Sequence, residues 1–144
     1  NNIGLYRLNQ LKVSLDRLMY SSGMSGFSAH NLITNTTKNI VINNRTNFNL
    51  AAFEVFNEGD SDYILSVSGQ SIYYFKLNRA DALAANKEVK VSLKKLCLPG
   101  TFLNRARYMT KGSDNNLIIS DTNAGRVLKY YINSSDGFKF QECD

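Results

Sequence analysis

The 144-residue chain has no tryptophan, one proline, one histidine, two cysteines and no apolar run longer than four residues. A helix that crosses a bilayer needs about 20 apolar residues, and no segment here approaches that. Zinc sites draw about four ligands from Cys, His and carboxylates at short spacing. His30 has no second histidine and Cys97 and Cys143 stand far apart, so neither a metal nor a cofactor is expected. Gly23-Met24-Ser25-Gly26 is one residue short of a nucleophile elbow, and neither glycine-rich phosphate-binding pattern occurs. His30 reads as a surface or loop histidine with no partner to give it a mechanism. The sequence points away from an enzyme.

What is present describes one globular domain with a polar surface: 43% apolar residues, 20% charged, a formal net charge of +5 and no low-complexity tract. A domain of this size hides ~70% of the surface of its unfolded chain, enough for a real core. The chain opens at Asn1 without methionine or a basic leader, as a mature product or a trimmed piece would. The sequons at Asn35, Asn44 and Asn133 are no more than chance predicts among 18 asparagines, and say nothing about glycosylation.

From Leu5 to Tyr20, Leu8, Leu11, Leu15 and Leu18 recur at steps of three and four, opposite Arg7, Asn9, Lys12, Asp16 and Arg17. That spacing predicts an amphipathic helix over 3–20, stopped by Ser21-Ser22-Gly23. Residues 23–50 read as a long polar loop with one strand near 39–43. Strands follow at 52–56, 63–67 and 72–77, the last two joined as a hairpin through Ser68-Gly69-Gln70-Ser71. Asn78 is placed to cap a short helix over 79–85, and a strand is expected at 89–93. A second hairpin, 117–121 with 127–132, turns on Thr122-Asn123-Ala124-Gly125. Asp121, Asn123 and Gly125 faintly echo a calcium loop, but Ile132 stands where the final acid belongs.

The two cysteines either pair, closing residues 97–143 and tethering the tail, or are unrelated buried thiols. The even count favours the pair, which on a chain-entropy estimate is worth ~4 kcal/mol.

A leading amphipathic helix, a polar loop, an antiparallel sheet and a segment bounded by two cysteines together resemble the soluble part of a type IV pilin. The stretch LKVSLDRLMYSSGMSGFSAHNLI resembles the end of the pilin helix and the start of its loop in the bundle-forming, enteropathogen-type branch. The resemblance implies a pilin-like α+β domain, with helix 1–22, loop 23–50, sheet 51–96 and disulfide-bounded region 97–143. It further implies a structural subunit, major or minor, of a bacterial type IV pilus or secretion pseudopilus, acting in assembly and adhesion. Its partners would be other pilin subunits, the inner membrane through a helix upstream of this sequence, and a host-surface or secreted protein. It would face the periplasm before assembly and lie on the cell surface after it. Leu8, Leu11, Leu15 and Leu18 would hold the sheet against the missing helix.

Charge is unevenly distributed. Glu54, Glu58, Asp60 and Asp62 form an acidic stretch without cations, whereas Lys76, Arg79, Lys87, Lys90, Lys94, Lys95, Arg105, Arg107 and Lys111 meet only Asp81 and Glu88. Head-to-tail assembly would set one stretch against the other and use charge for register. With Tyr73, Tyr74, Phe75, Phe102 and Tyr108 interleaved, the basic stretch also suits weak, salt-sensitive nucleic-acid binding.

The alternative is a piece of a β-propeller acting as a binding module. The segment from Tyr63 through Asn78 parallels that from Leu117 through Asn133 at an offset of 54 to 55 residues, and recurrence of strand pairs near that period is a mark of propeller blades.

Overall fold

The structure, a computed structural model, describes residues 8–96, 103–113 and 116–131. In chain order its elements are β1 (Leu8–Val13), β2 (Leu18–Gly23), β3 (Gly26–Asn31), β4 (Thr36–Asn39), β5 (Val41–Ile42), β6 (Phe53–Glu58), β7 (Ser61–Ser68), β8 (Ser71–Asn78), α1 (Arg79–Leu83), β9 (Lys90–Val91), β10 (Lys94–Lys95), β11 (Ala106–Lys111), β12 (Asn116–Asp121) and β13 (Arg126–Tyr131). The pilin-like α+β architecture is therefore corrected to a nearly all-β one with a single short helix. The resemblance to type IV pilins, which rested on a long N-terminal helix over a sheet, falls with it.

The expected helix is instead a hairpin. Strands β1 and β2 pair antiparallel, Leu11 opposite Ser21 and Val13 opposite Met19. The turn between them places both Asp16 and Arg17 at φ 59°, the left-handed pair that a two-residue hairpin turn needs. The leucine spacing misleads because a residue on the expected polar face, Lys12, is held by a buried carboxylate. The Gln10 side-chain oxygen accepts from the Phe53 N–H at 2.7 Å and Lys12 pairs with Glu54 at 2.8 Å, so both polar side chains tie β1 to β6. The expected loop 23–50 contains β3, β4 and β5.

The sheets are meanders. Their strand orders are β1-β2-β3-β4, β10-β8-β7-β6 and β11-β12-β13, with a small parallel pair of β5 and β9 between the first two sheets. Strand β6 touches β1, and β11 touches both β6 and β7.

Alternation in the middle sheet shows the packing. Val55, Ile64, Phe75 and Leu77 join Leu18, Tyr20, Phe27 and Ala29 of the first sheet in one core. Phe56, Leu65, Val67, Ile72 and Tyr74, on the opposite face, join Met109, Leu117 and Ile119 of the third sheet in another. Phe27 lies at the heart of the first core, its ring 5.2 Å from Phe53, 5.5 Å from Phe75 and 5.5 Å from Tyr20. Full burial of such a side chain is worth roughly 1.5–3 kcal/mol. Three antiparallel meanders thus pack through both faces of the central one. The repeat seen in the sequence falls on equivalent pairs, β7–β8 and β12–β13.

The hairpin at Ser68–Ser71 and the one between β12 and β13 form as the sequence predicts. Asn78 caps α1 by accepting from the Asp81 N–H at 3.2 Å. Cys97 and Cys143, and with them the disulfide-bounded region as a unit, lie outside the described residues.

Candidate functional site

On the middle sheet, cross-strand register decides which side chains meet. Tyr63 stands opposite Lys76, Leu65 opposite Tyr74, and Lys94 opposite Tyr74 on the other side. Tyr63, Tyr74, Lys76 and Lys94 thus share the face turned toward the third sheet. With Lys90, Val91 and Ser92 they line a groove of about 390 Å³ at the β10 edge of the middle sheet. The Lys76 ammonium lies 5.3 Å from the centre of the Tyr63 ring, a cation–π contact, and the two tyrosine rings are 6.5 Å apart.

No carboxylate lines this groove. Lys76 and Lys94 make no ion pair among the described residues, and Lys90 has only the exposed Glu88 at 3.8 Å. Three ammonium groups so arranged attract an anion, and the tyrosines supply a partly apolar floor. Alternation could have paired Tyr63 with Tyr74 in the sequence, but a register was needed to choose between Tyr73 and Tyr74.

The other residues of the basic stretch are dispersed. Arg79 is buried, Lys87 pairs with Asp81 at 2.7 Å, and Lys111 donates to the Val55 carbonyl at 2.7 Å. Lys95 is exposed on the face turned toward the first sheet, and Arg105 and Arg107 are exposed at the start of the third sheet. Among the interleaved aromatics Phe75 is core, Tyr108 is exposed on the far face of the third sheet, and Phe102 lies outside the described residues.

The acidic stretch divides between interior and surface. Glu54 is 5% exposed and pairs with Lys12. Asp62 is fully buried and accepts from Ser14, Tyr20, Asn57 and Arg79. Glu58 ends β6 and Asp60 lies in the β6–β7 turn. Burial, and then the Asp62 carboxylate, push the Tyr20 phenol far above its usual range. Burial pulls the Arg79 guanidinium down, but its bonds to Asp62 and Asp16 outweigh that and leave it raised. This network ties the β1–β2 turn to the start of α1 and is structural.

Of the leucines whose spacing predicts one helix face, Leu8 and Leu11 fall in β1 and Leu15 in the turn, while Leu18 is buried in β2. His30 is not a loop residue but lies inside β3, 2% exposed. Its Nε2 is 2.7 Å from the Ser21 hydroxyl and its Nδ1 is 2.8 Å from the Thr37 hydroxyl. That chain has a nucleophile's atoms but not its access, since Ser21 is equally buried. Asp121 accepts from the Asn104 N–H and from Arg126, so the faint calcium echo is an internal brace. Among the described residues no cluster of His, Cys, Asp and Glu could hold a metal, and no helix is long and apolar enough to cross a membrane.

Comparison with known proteins adds no family: no family model matches the chain, and no curated protein matches it.

Proposed function

We propose that this chain is a binding module of propeller-like construction that engages an anionic partner by charge and acts by binding rather than by catalysis. The observation that carries the reading is the convergence of Lys76, Lys90 and Lys94 around Tyr63 and Tyr74 in a groove without a carboxylate. The stacked meanders support it, because they form a stiff platform on which a groove at a sheet edge keeps its shape. The filament-subunit expectation loses the fold on which it rested and is not carried forward.

The test is fluorescence anisotropy with a labelled single-stranded oligonucleotide as the polyanion. Neutralisation of about three phosphates gives a log–log salt slope near −2. The double reversal K90E/K94E is expected to weaken binding at least about tenfold, whereas reversal of Lys95, on the opposite face, leaves it nearly unchanged. Equal loss in both variants would mean net charge alone, and no binding at low salt would retire the groove.

A further inference from the structure

A second cleft, of about 410 Å³, opens where the connector from the first sheet meets the β7–β8 hairpin. Its size lies within the ~300–1,000 Å³ of small-molecule sites. Its chemistry is unlike that of the basic groove, because no charged side chain lines it. Phe48, Leu50 and Leu93 give an apolar wall, and Tyr73 contributes a ring and a hydroxyl.

The polar groups are set by the backbone. Asn43 and Asn44 take φ 50° and 61°, closing a tight turn in which Ile42 and Arg45 exchange backbone hydrogen bonds. The Asn43 side-chain oxygen accepts from the Leu93 N–H at 2.9 Å. That bond fixes the amide and leaves its NH₂ without a partner among the described residues. The Ser68 and Tyr73 hydroxyls, on the hairpin opposite, have none among the described residues either, so three hydrogen-bonding groups flank an apolar wall. Ser22 steadies the connector by accepting from the Leu50 N–H at 2.7 Å.

We propose that this cleft binds a neutral saccharide. A sugar ring presents a C–H face that packs on an aromatic or aliphatic wall and an edge of hydroxyls that both donate and accept. An ionic ligand would lose hydration here without meeting a counter-charge in the lining. A purely apolar one would cover the amide and hydroxyls without pairing them. The complement of amide, two hydroxyls and ring matches a polyol of one or two units. This site is separate from the basic groove and does not depend on it.

The test is a titration of the ¹⁵N-labelled full chain with glucose, galactose, mannose and N-acetylglucosamine, with glucuronate as the charged control. At least one neutral sugar is expected to shift the amides of residues 43–50, 66–68 and 73, with a Kd of about 1–10 mM. Tyr73→Ala should weaken that sugar about tenfold or more; Tyr73→Phe and Ser68→Ala, which leave the wall in place, should each weaken it several-fold. K90E/K94E should leave sugar binding intact, so the two sites fail independently. The proposal is overturned if no neutral sugar shifts these amides at millimolar concentration, if glucuronate binds as well, or if a neutral Asn-Ser peptide saturates the cleft when sugars do not.

Discussion

His30 shows how a single polar side chain is accommodated in a sheet. Two hydroxyls satisfy its ring nitrogens, one donating and one accepting around the neutral imidazole, and burial lowers its pKa from 6.5. The unfolded chain therefore binds a proton more readily than the folded one. This contribution to stability is complete above the unfolded pKa and declines as pH falls below it toward the folded value. Thermal unfolding should show a midpoint that drops from about pH 7.5 to about pH 5, and His30→Gln should flatten the part of that slope centred near the histidine. An unchanged slope in the variant would assign the acid sensitivity to other groups.

At the scale of elements, turns decide this architecture. The Asp16-Arg17 turn holds an arginine in the left-handed region, where a side chain costs roughly 1–2 kcal/mol. Arg17→Gly should therefore stabilise the protein by up to ~1 kcal/mol after the entropy that glycine adds to the unfolded chain is counted. Urea denaturation with an unchanged m-value reads this directly, and a lower midpoint would show that the Arg17 side chain has contacts worth more than the strain. The asparagine-rich composition finds its explanation at the same scale. Asn35, Asn43 and Asn44 all adopt positive φ, which asparagine tolerates better than most residues, so residues that read as loop filler end strands and turn the chain.

For the whole molecule, the middle sheet is shared by two cores, and that sharing couples the three sheets. Phe27→Ala in the first core is expected to cost about 3–5 kcal/mol, and Ile119→Ala in the second about 2–5 kcal/mol. Because β6, β7 and β8 contribute to both, each variant should lower one common transition. Near-ultraviolet dichroism of the tyrosines and far-ultraviolet dichroism of the strands should then shift together. Two separated transitions would mean that the third sheet unfolds alone.

Local features are legible in the sequence: the hairpins at Ser68–Ser71 and Thr122–Gly125, the Asn78 cap and the alternation of β7. Each depends on neighbours a few residues apart, so local chemistry suffices. Tertiary structure decided the rest. Leu8 to Leu18 fits a helical period as well as a bent hairpin, and only the Phe53 N–H and the Glu54 carboxylate of a distant strand make Gln10 and Lys12 inward residues. The acidic stretch looked like a surface patch until Lys12 and Arg79 met Glu54 and Asp62 in the interior. The basic groove and the neutral cleft were equally hidden, since each joins residues from separate segments through a strand register or a turn, and charge order along a chain does not carry that information.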